Sequence, residues 1–117
     1  MGLPRWHRLR ERPAFLRLYR AGKRQRGPTL TLRVYPHGGD ASQFGIVVSQ
    51  KVSKRAVVRN RLKRLIRVAI RQLLPHVARG WQVLITLNPG APLGDSRLYL
   101  QELEELLARV GLLHGHS

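Results

Sequence analysis

The chain has no cysteine and only six acidic residues among its 117. The first absence excludes disulfides and thiolate metal sites, and it fits a reducing compartment. The second weighs against a phosphodiesterase centre made by the protein alone, because a two-metal site needs several convergent carboxylates. Glu11, Asp40 and Asp95 stand isolated, and Glu102, Glu104 and Glu105 share one C-terminal segment. Of the histidines, His7, His37 and His76 show no ligand spacing, and the pair His114 and His116 is expected to be disordered tail. No catalytic group and no protein-bound metal or cofactor is therefore expected. No stretch approaches the roughly 20 apolar residues that span a bilayer. The N-terminus, MGLPRWHRLRERP, lacks an apolar segment of secretory type. These absences predict a soluble, cytoplasmic protein without membrane contact. Internal repeats and long linkers are missing too, so residues 1–117 are expected to form one domain, with a core over about 7–110 and flexible ends.

What the chain has in excess is positive charge. It holds 22 Lys+Arg, a formal +16. Residues 1–79 carry 20 basic and 2 acidic residues, whereas residues 80–117 carry 2 basic and 4 acidic ones. Arginine supplies 18 of the 22 cations, and a planar guanidinium grips phosphate bidentately where lysine acts as a point charge. Nucleic acid is the partner this composition favours.

Along the chain, helices alternate with strands. PAFLRLYRA, bounded by Pro13 and Gly22, reads as a short first helix. TLTLRVY, residues 29–35, alternates with period two: Leu30, Leu32 and Val34 face one way, Thr29, Thr31, Arg33 and Tyr35 the other. The turn PHGGDASQ and the apolar run FGIVVS that follow predict a hairpin with it. Ser53 is a candidate cap for a long helix ending near Leu74, before Pro75. WQVLITL, residues 81–87, is a strand, and Asp95 to Val110 a last helix stopped by Gly111. Its Tyr99, Leu103, Leu106, Leu107 and Val110 share one face, which marks it as a packing helix.

The long helix contains AVVRNRLKRLIR. On a helical wheel Leu62, Leu65, Ile66, Ala69, Ile70 and Leu73 gather on one arc, and Asn60, Lys63, Arg64, Arg67 and Arg71 on the other. Arg59, Lys63, Arg67 and Arg71 form a ridge about 18 Å long at 1.5 Å per residue, the scale of several phosphates along a strand. Arg61 falls outside this arc and could reach sideways. A solvated charged face is the ordinary reading of such a run. Here no acidic residue lies between Asp40 and Asp95 to form helical ion pairs, so an anionic partner is expected instead.

The stretch FGIVVSQKVSKRAVVRNRLKRLIR resembles the protein subunit of bacterial ribonuclease P, whose hallmark Arg-Asn-Arg helix stands here as Ala56, Arg59, Asn60, Arg61, Lys63, Arg64 and Arg67. Arg8 and Leu9 near the N-terminus, and Phe15 and Tyr19 in the first helix, agree with it. The resemblance implies an α+β fold: a single-domain α/β sandwich with a small mixed sheet, in the order α-β-β-(β)-α-β-α. It also implies a left-handed βαβ crossover of the ribosomal S5 domain 2 type, against the right-handed default. It further implies a protein that binds a catalytic RNA, one protein per RNA, while Mg2+ ions on that RNA cut precursor tRNA at the mature 5′ end. On this reading the catalytic RNA meets Lys51, Lys54 and Arg55 of the loop and Arg59, Asn60, Arg61, Lys63, Arg64, Arg67 and Arg71 of the helix. The 5′ leader of the substrate meets Arg8, Phe15, Tyr19, Thr31 and Arg33. Many relatives carry an aromatic where Arg33 stands, so leader contact here leans toward charge.

Phe15 and Tyr19, four apart on one helix face, suit base stacking or the core equally well from the residues alone. Trp6 and Trp81 read as anchors. The alternatives are a ribosomal-type RNA-binding protein without a role in cleavage, a protein nuclease acting alone, which the dispersed carboxylates oppose, and a DNA-reading helix. The last is weakened by a side-chain set that grips phosphate but encodes little base choice.

Overall fold

The computed structural model describes residue 3 and residues 7–114; Trp6 and His116 lie outside them. The elements are α1 (Arg12–Ala21), β1 (Lys23–Arg26), β2 (Leu30–Pro36), β3 (Gln43–Val47), α2 (Ala56–Leu73), β4 (Trp81–Leu87) and α3 (Ser96–Arg109). A 3-10 turn, Leu74–His76, carries the chain past Pro75 after α2. The expected α+β architecture is present.

The strands form one sheet in the order β1-β2-β4-β3. β2 runs antiparallel to both β1 and β4, and β3 runs parallel to β4. The predicted hairpin between β2 and β3 therefore does not form. β4 lies between them because it is the strand with apolar residues for both faces: Val83, Leu84, Ile85 and Leu87 are all fully buried. The connection from β2 to β3 straddles its entry, with the His37 and Gly38 amides donating to Gly80 O at 2.8 and 3.1 Å. The hairpin that does form is β1–β2, closed by Gly27 N donating to Leu30 O at 2.7 Å.

One face of the sheet is covered by α2 and α3. Leu62, Ile66, Ala69, Ile70 and Leu73 of α2, with Tyr99, Leu103, Leu106 and Leu107 of α3, are buried against Leu30, Leu32, Val34, Val83, Ile85 and Leu87. The arcs predicted for both helices are the ones buried. On the other face α1 seats Ala14 and Leu18 on Leu84, with Leu9 beside them and Phe15, Tyr35 and Val47 around the edge. Gly45 of β3 allows this seat: a Cβ there would lie 3.1 Å from both Leu9 Cδ2 and Phe15 Cε1.

Helix ends follow local chemistry with two departures. α2 begins at Ala56, not at Ser53; Arg55 holds the N-cap position without a side-chain cap, and Ser53 Oγ instead accepts from Arg55 N at 3.2 Å. α3 is capped by Asp95, whose carboxylate accepts from Leu98 N at 3.0 Å, and it ends before Gly111 at φ 77°. The second departure is at the chain ends, where the expected core limits were too narrow. Leu3 and Leu112 belong to the main core. His114, expected in a disordered tail, donates its backbone N–H to His76 O at 2.6 Å, next to a bridge between Val77 and Leu113. Among the described residues no helix is long and apolar enough to cross a membrane.

Candidate nucleic-acid interface

Once α2 buries its leucine and isoleucine stripe, its remaining side chains face outward. Asn60, Arg61, Arg64 and Arg71 are exposed, and Arg59, Lys63 and Arg67 are half-buried along the flanks. Val57, 73% exposed, sits among them, and with Asn60, Arg64 and Arg67 it lines a shallow groove of about 540 Å³. The first turn of α2 contains no acid and its N-cap side chain makes no cap bond, so its leading amides suit an anion. Lys51, Lys54 and Arg55 are exposed on the loop before it. That loop is held in a turn by Val52 N donating to Ser49 O at 3.0 Å, and Arg59 Nη1 reaches back to Ser53 O at 2.9 Å. Arg59 thus braces the loop as well as extending the ridge.

The second predicted set lies on the opposite face of the sheet. Cross-strand register puts Arg33 beside Leu84 and Arg24, and Thr31 beside Thr86 and Arg26. Tyr19 is 49% exposed, and the Arg33 guanidinium carbon lies 4.7 Å from the centre of its ring, a cation–π arrangement. Phe15 is half-buried: part of the ring packs on Leu9 and Gly45, and part lines a cavity. The question of core or cleft thus has a different answer for each aromatic. Arg8 is exposed where the N-terminal arm runs beside β3, with Leu9 N donating to Phe44 O at 2.9 Å and Arg8 Nε to Leu3 O at 2.8 Å.

Thr31 departs from its expected place. It is 5% exposed and gives its hydroxyl proton to Asn88 Oδ1 at 2.6 Å, while Asn88 Nδ2 donates to Gly27 O at 3.0 Å. Its side chain fixes the β1–β2 turn from inside instead of facing a ligand.

The two predicted sets are not separate. A cavity of about 280 Å³ is lined by Arg8 and Phe15 from one set and by Lys63 and Arg67 from the other, with Leu3 and Gly45 between them. Sequence reasoning missed the cations on the strand beside Arg33 and Thr31. Lys23, Arg24 and Arg26 lie exposed on β1, a strand whose KRQR sequence carries no apolar alternation; the Gly27-Pro28 pair before an alternating strand was its one available signal.

The carboxylates have other tasks. Glu102 Oε2 accepts from the backbone amides of Thr29, at 2.9 Å, and of Leu30, which ties α3 to the start of β2. Asp95 caps α3. Among the described residues no three His, Asp or Glu side chains come together as a metal site would need.

The family model described as Ribonuclease P matches residues 3–111. A relative from Microcystis aeruginosa, named Ribonuclease P protein component, is 48% identical over 120 residues, covering 99% of this chain and all of its own. One of the same name from Synechococcus elongatus is 45% identical and covers both chains completely. Among solved structures, the RNase P protein from Thermotoga maritima matches with a TM-score of 0.77 at 29% identity, covering 87% of this chain and 96% of its own. The fold is also that of the Staphylococcus aureus RNase P protein, with a TM-score of 0.81 over 92% of this chain and 98% of that one.

Proposed function

The chain belongs to the ribonuclease P protein family, and from that premise we propose how its two basic surfaces divide the work. As a member it is the protein subunit of an RNA-based endoribonuclease that processes the 5′ leader of tRNA precursors. In our reading the outer face of α2 and the loop holding Lys51, Lys54 and Arg55 grip the catalytic RNA through its phosphates, and the α1 flank takes the leader. Tyr19, held against Arg33, offers a ring for base stacking; Arg8 and Arg33 meet the leader's phosphates. Phe15 contributes its exposed edge from a packed position.

The observation that carries this division is the cavity in which Arg8 and Phe15 face Lys63 and Arg67. A leader lying along α1 would come directly beside RNA held on α2, so the protein would bind substrate at the seam with the catalyst. The bond-breaking chemistry belongs, on this proposal, to Mg2+ on the RNA, since Asp95 and Glu102 are engaged in capping α3 and anchoring β2. The protein's contribution is electrostatic: its cations replace part of the counterion atmosphere that two RNAs brought together would otherwise need.

Reconstitution with a bacterial catalytic RNA at low magnesium tests this reading. The expected result is restored cleavage of precursor tRNA by the wild-type protein, and weaker discrimination between precursor and mature tRNA when Tyr19 and Arg33 are replaced by alanine. Cleavage by scrupulously RNA-free protein would overturn the accessory role. Unchanged discrimination in the double variant would remove the leader from α1.

A further inference from the structure

Residues 15 and 17 of α1 stand about 200° apart around the helix, so Arg17 leaves the flank opposite the one bearing Phe15 and Tyr19. On that flank lies a cavity of about 630 Å³, lined by Arg8, Arg10, Arg17, Tyr35, Gln43 and Gln82. Its volume lies in the range of small-molecule sites.

The floor is ordered. Arg17 Nη2 donates to Gln82 Oε1 at 2.6 Å, and Gln82 Nε2 donates to Gln43 Oε1 at 3.1 Å. Gln82 is 5% exposed, so this relay is fixed by the fold and sets which way both amides point. With its Oε1 engaged by Gln82, Gln43 presents its amide N–H groups. The Arg17 guanidinium carbon lies 5.0 Å from the centre of the Tyr35 ring, and its Nε is buried without a hydrogen-bond partner. An amide oxygen and a ring face do not neutralise a guanidinium, so its charge remains available to an anion nearby. Arg8 and Arg10, both exposed, add two more cations at the mouth. Glu11 also lines the cavity and subtracts one charge, leaving an excess of two positive charges.

We propose that this cleft binds a phosphorylated nucleotide unit, with phosphate on Arg8, Arg10 and Arg17 and the base edge on the Gln43 amide, which Gln82 holds in place. The arginines supply charge-assisted donors for phosphate. Gln43, oriented by the buried Gln82, supplies the short, fixed hydrogen-bonding edge that a bare phosphate site would not need. The unit could come from a free nucleotide or from an RNA strand, and the chemistry of recognition is the same for both. Arg17, Tyr35, Gln43 and Gln82 set the site apart from Tyr19 and Arg33 on the other side of α1, while Arg8 and Arg10 line both this cavity and the one beside Phe15.

Titration of the full-length protein with ADP and, separately, with a single-stranded uridine hexanucleotide distinguishes the sources, read by the side-chain amide resonances of Gln43 and Gln82 at physiological salt. Saturable shifts with either probe are expected, weakened at least fivefold by Arg10→Ala, an exposed position whose loss leaves the fold intact. Arg17→Gln, which keeps a hydrogen-bond donor but removes the charge, should weaken them comparably. Response to both probes identifies a nucleotide site open to free ligand, and response to the hexanucleotide alone identifies a strand site. No saturable shift with either probe, or equal affinity in the Arg10→Ala protein, overturns the proposal.

Discussion

α2 and α3 lie side by side on the same face of the same sheet, and each buries a stripe of large aliphatic residues in a shared core. Their outer faces differ completely. α2 turns Asn60, Arg61, Arg64 and Arg71 outward, whereas α3 turns out Arg97, Gln101, Glu104, Glu105 and Arg109. The buried halves obey one packing rule and say nothing about function. The partner is written on the solvent side, where α2 has no counter-charges and α3 mixes both signs. Even the half-buried acid of α3, Glu102, points at the backbone amides of Thr29 and Leu30 rather than at a cation.

Changing each outer face in turn breaks or sharpens this contrast. The largest effect is expected from replacing Arg61, Arg64 and Arg67 together by alanine. Affinity for the catalytic RNA should fall by about 4 kcal/mol at low salt, and the log–log salt slope should flatten by roughly 0.7–0.9 per contact removed. The melting temperature should hold, because the buried arc of α2 is untouched; an unchanged slope would mean that these side chains face only water.

Next comes Glu102→Ala, which strips the acceptor from two backbone amides and should lower stability by about 1–3 kcal/mol in a denaturant titration. RNA affinity measured on the folded protein should not change. A smaller effect, about 1–2 kcal/mol of leader affinity, is expected for Tyr19→Ala, with an unaltered melt because the ring is already half exposed. A large drop in melting temperature would instead assign Tyr19 to the core. The smallest effect should come from Glu104→Gln with Glu105→Gln: both binding and stability should stay within about 0.5 kcal/mol. A strong gain in RNA affinity would show that α3 also faces RNA, and the contrast between the helices would fail.

Much of this was legible in the residues because periodicity reports burial. β4 was readable to its ends from WQVLITL, and the dry arcs of α2 and α3 follow from spacing alone. What stayed hidden is non-local. β2 and β3 are neighbours in sequence, and their turn chemistry suggested pairing, but the demand of β4 for burial on both faces placed it between them. Thr31 alternates outward like a ligand-facing residue, yet Asn88, distant in sequence, claims its hydroxyl. Arg17 looked like one more helix cation until the fold set it against Gln82 and Tyr35. Ser53 had the chemistry of a cap, but the chain turned once more before α2 began.

The strand order has a consequence for synthesis. β4 is the hydrogen-bonded partner of both β2 and β3, and it is made after nearly all the arginine-rich sequence. Until Leu87 emerges, β2 has only β1 beside it and β3 has no strand at all, so the nascent chain is a polycation with open strand edges. Domains whose pairing waits on late sequence close slowly and expose such edges while they wait. The weakly acidic last third therefore sets the moment at which the basic two thirds acquire a shape, and a chain halted before residue 80 would have the charge to attract RNA without the surface to choose one.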